Sequence, residues 1–118
     1  MAILEIRTYR LKPGTDAAFH RLVVEQSIPL LRQFGIDVVR FGPSGLVDEG
    51  FVDYVLVRSF KSEDAREEEE ARFYGSSEWV NGPREEILAK IESYHTVVLT
   101  LTSDAVDALR SVSGQQAL

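Results

Sequence analysis

The stretch from Leu4 to Gly14, LEIRTYRLKPG, constrains the fold more than any other part of the chain. It alternates with a period of two, the signature of a β-strand. Leu4, Ile6 and Thr8 form a nearly apolar set, and Glu5, Arg7 and Tyr9 form the opposite set, joined by Ile3. A strand with one wet face explains such a pattern simply. A central strand covered on both faces needs a specific reason for its two charges. Pro13-Gly14 ends the strand, and Thr15-Asp16 opens a helix with an N-cap residue and an early acid.

In that helix Phe19, Leu22, Val23, Leu30 and Phe34 recur at helical spacing, and Gly35 suits its C-terminal end. Pro29 lies inside the pattern. It has no N–H for the carbonyl of Glu25, so the spacing predicts a kink near Ser27-Ile28. Residues 36–41 read as a second strand and 51–61 as a third, with breakers at Gly42-Pro43-Ser44-Gly45 and Asp48-Glu49-Gly50. The third strand places Tyr54, Leu56, Arg58 and Phe60 on one face and Asp53, Val55, Val57 and Ser59 on the other. Ser62-Glu63-Asp64 caps a second helix, whose centre REEEEAR reads as a solvated face with i,i+4 pairs such as Arg66 with Glu70. YGSSEWVNGP, residues 74–83, interrupts this helix, and Pro83 restarts it with Ile87, Leu88 and Ile91 inward. Residues 94–102 form a fourth strand, and Ser103-Asp104 caps a short tail helix carrying Val106 and Leu109. Residues 113–118 are expected to fray.

The order βαββαβ predicts an α+β, ferredoxin-like domain over residues 1–103, followed by a short helix and tail over 104–118. The first and third strands are then central, and both helices cover one face of the sheet. Hydrophobicity assigns Leu4, Ile6, Val55 and Val57 to the helices. Glu5, Arg7, Tyr9, Tyr54, Leu56, Arg58 and Phe60 are left on the uncovered face, where a mixed patch of this size marks an interface or a ligand site. The expected partner is a second copy of the chain, its sheet closing the first into a two-fold barrel. Glu5 and Arg58 are placed to pair, and Arg7 needs an acid or a ligand anion.

Composition narrows the function. Lys and Arg number 13 against 19 Asp and Glu, a net charge of −6, which disfavours nucleic acid and anionic membrane as partners. No cysteine is present, so disulfides, thiolate catalysis and cysteine zinc sites are excluded. A charge at Glu5 comes too early for a signal-peptide core, and no apolar run approaches membrane-spanning length. The expectation is a cytoplasmic protein with no membrane insertion.

Three segments, EIRTYRLKPG, FYGSSEWVNGPREEIL and YHTVVL, resemble the NIPSNAP family from about Leu4 to Leu101. The most specific pieces are the Glu-x-Arg-x-Tyr strand with its Pro-Gly, and Phe73-Tyr74 through Trp79. The resemblance implies a dimeric α+β barrel. It implies no particular activity, because most members have none established. Related barrels include cofactor-independent monooxygenases, haem-degrading enzymes and isomerases, an analogy of fold alone.

No phosphate loop, dinucleotide fingerprint or nucleophile elbow is present. His20 and His95 lack metal-ligand spacing, so neither a metal nor an organic cofactor is expected. His20 falls off the apolar stripe, and His95 starts the last strand as a structural residue, a base or a haem ligand. Arg7 and Arg58 are the best candidates for gripping a carboxylate or enolate, against a structural role with Glu5 or Asp53. Tyr9 and Tyr54 offer an apolar wall ending in a hydroxyl, and Tyr74 and Trp79 flank the helix break. Two function classes remain: a module that binds a small hydrophobic ligand or its own copy, and a cofactor-independent enzyme acting on a hydrophobic carbonyl or phenolic compound.

Overall fold

Alternation in the first strand produces the centre of a four-stranded antiparallel sheet. The computed structural model describes residues 1–110. The strands are β1 (Ala2–Leu11), β2 (Asp37–Asp48), β3 (Phe51–Phe60) and β4 (Ile91–Leu101), in the spatial order β2-β3-β1-β4. This is the ferredoxin-like arrangement, with β1 and β3 central. In register Glu5 stands opposite Arg58 on one side, and Arg7 stands opposite Thr96 on the other. β2 runs through the expected Gly-Pro break to Asp48, and its pairing with β3 shifts between Pro43 and Val47. The break is absorbed as an irregular hairpin instead of ending the strand.

The first helical segment comprises α1 (Asp16–Leu22), a π-helical turn over Val23–Ser27, and α2 (Ile28–Gln33). The N–H of Ile28 reaches back five residues to the carbonyl of Val23. The irregularity foreseen at Pro29 therefore takes the form of a widened turn just before the proline, where the helical ladder already lacks one donor. Thr15 precedes α1, but its hydroxyl donates back to the carbonyl of Lys12 at 2.7 Å instead of capping the helix. The second helical segment comprises α3 (Glu63–Tyr74), α4 (Ser77–Val80) and α5 (Arg84–Ala89). Ser62 and Ser76 cap α3 and α4 by accepting from the N–H groups of Ala65 and Trp79. Gly82 must be glycine, since a Cβ there would lie 2.2 Å from the carbonyl oxygen of Glu78. That close approach lets the chain double back and present Trp79 to the core. A last helix, α6 (Ser103–Ala108), is capped by Thr102, one residue before the expected cap. The expectation of a frayed end over 113–118 lies outside the described residues.

The two faces of the sheet are the reverse of the sequence-based assignment. The main core joins Leu11, Phe41, Tyr54, Leu56 and Phe60 of the sheet to Phe19, Val23, Ile28, Leu31, Phe73, Trp79 and Ile87 of the helices. Glu5, Arg7, Tyr9, Tyr54 and Arg58 thus lie beneath the helices and not on the uncovered face. Two properties decide this. The large aromatic side chains of this set fill the thick layer between sheet and helices, and α3 brings its own charges to meet those of β1 and β3. The small β-branched set forms a second, thinner cluster in which Leu4, Val39 and Val57 pack against Val106 of α6. Around it Ile6 and Val55 are half-buried, and Val97 and Leu99 on β4 remain about 40% exposed.

Candidate functional site

Glu5 and Arg58 are both fully buried, and each is held by the other. Arg58 Nε donates to Glu5 Oε1 at 3.0 Å, and its Nη2 donates to the same oxygen. The other Glu5 oxygen accepts from Arg66 Nη1 at 2.8 Å, so α3 is tied to the sheet through one carboxylate. Arg66 also donates to Glu63 at the start of α3. Arg58 Nη1 donates to the Tyr74 hydroxyl at 2.8 Å. The i,i+4 spacing of Arg66, Glu70 and Tyr74 puts all three on the face of α3 that meets the strands.

Arg7 is held differently. Its Nε donates to Thr96 Oγ1 at 3.2 Å and its Nη1 to the Tyr74 hydroxyl at 3.3 Å. Its Nη2 stands 3.6 Å from Glu70 and 3.8 Å from Glu5, beyond hydrogen-bonding distance of either carboxylate. A guanidinium has five N–H groups, and these two bonds use two of them. The rings of Tyr74 and Tyr94 flank its central carbon at 5.8 and 5.5 Å. Arg7 borders a cleft of about 490 Å³ between β1, β4 and α3–α5, lined also by Tyr9, Glu70, Tyr74, Trp79, Leu88 and Tyr94. That volume suits a small organic ligand.

Behind the cleft, across Tyr9, Tyr74, Trp79 and Ile87, lies an apolar pocket of about 30 Å³. Tyr54 and Ser27 reach it. The Tyr54 hydroxyl is bonded to His20 Nδ1 at 2.6 Å, and Ser27 Oγ, presented by the π turn, is buried without a hydrogen-bond partner. A wider depression of about 580 Å³, at the opposite end near Met1, Lys61 and α6, is polar, and its Arg110 is already paired with Asp37 and Asp107.

The two buried acids titrate apart. Burial alone would raise Glu5, but its bond with Glu70 and the charges of Arg58 and Arg7 outweigh that and bring it down to about 2. Glu70 is pushed up to about 7, first by burial and then by its bond with Glu5, despite the opposing charge of Arg58. Burial also raises the Tyr9 phenol. Among the described residues no cluster of acids and histidines could hold a metal ion.

Of the residues singled out in the sequence, Glu5, Arg7, Tyr9, Arg58, Tyr74 and Trp79 come together here, and Tyr54 lies at the inner pocket. His95 does not join them: it is exposed and stands opposite Thr8 on the other face of the sheet. The REEEEAR pattern predicts a solvated face for Glu70 and Arg66, yet their side chains are only 13% and 19% exposed. Stepping back by fours from Tyr74 would have found both. The pairings of Tyr54 with His20 and of Arg7 with Thr96 depend on the packing of distant elements, and no local signal marks them.

A NIPSNAP family model matches residues 4–105, nearly the whole described chain. The chain belongs to the NIPSNAP family. A NIPSNAP family protein with unknown function from Agrobacterium tumefaciens is 26% identical, with a TM-score of 0.76 over 86% of this chain and 88% of that one. An uncharacterized NIPSNAP-like domain protein from Burkholderia xenovorans is 18% identical, with a TM-score of 0.76 over 86% of each chain. The same fold extends to a putative antibiotic biosynthesis monooxygenase from Bordetella bronchiseptica, 20% identical with a TM-score of 0.64 over 86% of this chain and 97% of that one. No curated protein matches. Among the described residues no helix is long and apolar enough to cross a membrane.

The two arginines should separate in stability. Arg58→Met strands a buried Glu5 and should cost on the order of 3–5 kcal/mol, whereas Arg7→Met should cost less than about 1.5 kcal/mol, measured by urea unfolding. The acids impose a pH dependence as well. Glu5 is depressed, so its contribution grows as pH rises from about 2 to its ordinary value of 4.5. Glu70 is raised, so stability falls as pH climbs from 4.5 through about 7, where the unfolded chain has already released that proton. Thermal melting should therefore show a maximum near pH 4.5–5 from this pair, and Glu70→Gln should flatten the decline between 4.5 and 7.

Proposed function

We propose that the protein binds a small hydrophobic anion or enol in the cleft beside Arg7, and that it works as a cytoplasmic homodimer. One observation carries the ligand reading: Arg7 borders an open cleft with no carboxylate closer than 3.6 Å, while its neighbours Arg58 and Arg66 are hydrogen-bonded to Glu5. A partly buried guanidinium held to carboxylates only by long ion pairs gains further from an anion that bonds it directly. Tyr74 adds to this. Its oxygen accepts from two arginines, which leaves its own hydroxyl hydrogen available to donate to a ligand. Leu88, Tyr94 and Trp79 supply an apolar wall for the ligand's body. The dimer forms through the other face of the sheet. There Ile6, Val55, Val97 and Leu99 form a flat apolar strip that α6 covers only in part, and a two-fold copy of the strip would match it. The likeness to monooxygenases is one of fold, and their chemistry is not carried over.

Saturating 3-phenylpropionate or decanoate should raise the melting temperature of the wild type, by the equivalent of about 2–3 kcal/mol at a hundred times Kd, and leave Arg7→Met unmoved. Equal shifts in both proteins would refute the assignment of Arg7. Light scattering at micromolar concentration should give twice the chain mass, and Leu99→Asp should halve it. A wild-type monomer would remove the dimer from the reading.

A further inference from the structure

We propose that Glu70 is the general acid–base group of a proton-transfer activity in this cleft, acting on an enolisable carbonyl compound whose oxygen is held by Arg7 and Tyr74. The substrate class is a 2-oxo acid or similar carbonyl with a hydrophobic arm. The inference rests on the ligand site proposed above and adds chemistry to it.

Geometry singles out Glu70. It lines the cleft together with Arg7 and Tyr74, on the same wall. Its Oε2 is buried in an ion pair with Arg58 Nη2 at 3.2 Å, without an aligned hydrogen bond, and its Oε1 stands 3.6 Å from both Arg7 and Arg66. The groups that face it are Glu5 and Arg7 on β1, Arg58 on β3, and Arg66 on its own helix. Arg58 and Arg66 have their hydrogen bonds satisfied by Glu5, Glu63 and Tyr74, so Glu70 is not needed as their acceptor. The histidines offer no rival base here: His20 is bonded to Tyr54, and His95 is on the far face of the sheet.

Burial and the Glu5 neighbour hold the Glu70 proton until about pH 7, the range in which a carboxyl group can both take and return a proton. The step balances within the site. Ionised Glu70 takes a proton from the carbon next to the ketone. The C–H electron pair becomes the new C=C bond, and the carbonyl π pair moves to oxygen as an enolate, facing the N–H groups of Arg7 and the hydroxyl of Tyr74. Return of the proton from Glu70 to carbon regenerates the ketone, and no oxidant or co-reactant is consumed. Acid and oxyanion donors on one cleft wall are what such a reaction needs.

The test uses phenylpyruvate as the probe. Exchange of its C3 hydrogens in deuterium oxide is followed by proton NMR, with thermal shift measured in parallel on the same samples. Wild type should accelerate exchange, with a rate that rises as pH passes about 7 and then levels. Glu70→Gln should still be stabilised by phenylpyruvate but should exchange its hydrogens at least about 100-fold more slowly. Equal exchange in Glu70→Gln, a pH-independent wild-type rate, or binding without accelerated exchange would overturn the proposal while leaving the ligand site standing. The wild-type pH profile decides the matter even if the variant does not fold. Absence of any thermal shift in wild type would refute the ligand site, and the proton-transfer activity with it.

Discussion

Glu5 sits in the middle of the molecule with an arginine on each of its oxygens: Arg58 from the neighbouring strand and Arg66 from the helix above. A buried ion pair adds little net stability over a well-packed apolar pair, because desolvation offsets most of the attraction. Its consequence here is geometric. Glu5 and Arg58 are directly opposite in the β1–β3 ladder, so their bond agrees with one register and no other. Arg66 then fixes how far along the sheet α3 can slide, and α3 carries Glu70 and Tyr74. Removing the carboxylate would leave three arginines beneath the helices with Glu70 as their remaining buried acid.

Satisfying Arg58 and Arg66 in this way leaves Arg7 over. It has the same chemistry as Arg58 and stands on the same face of the sheet, one alternation beyond Glu5 on the neighbouring strand, yet no carboxylate reaches hydrogen-bonding distance of it. The difference follows from position. Arg58 is enclosed between β1 and α3, whereas Arg7 pairs with Thr96 of the edge strand β4, where the helical layer opens into the cleft. Two arginines that looked equivalent in the sequence therefore divide into one enclosed by its partners and one that borders an open cleft. The same cleft is bordered by Glu70, whose proton is held first by burial and then by its bond with Glu5, so the residue that organises the fold also bears on the titration of an acid at the cleft.

Much of this was readable from local pattern. Alternation in residues 2–12 and 51–61 marked both central strands, Pro13-Gly14 marked the end of the first and Gly35 the end of the first helix, and the βαββαβ order led to the ferredoxin-like sheet. Pro29 signalled an irregular helix, because a missing donor acts wherever the proline is. The aromatic break at Tyr74–Trp79 was seen as well. Each of these rests on physics confined to a few residues.

The choice between the two faces of the sheet was not local. By hydrophobicity Leu4, Ile6, Val55 and Val57 belong under the helices and Glu5, Arg7 and Arg58 belong outside, and that ordering fails because a charge is judged against its partners and not alone. Arg66 and Glu70 supply those partners, from a stretch of helix that follows β3 closely but lies about sixty residues from β1, and whose charge pattern reads as a solvated face. Sequence by itself determined the elements, their order and the residues that alternate together. Tertiary structure decided which set is buried, which arginine is satisfied and which acid keeps its proton, since each depends on distances between segments that only folding brings into contact.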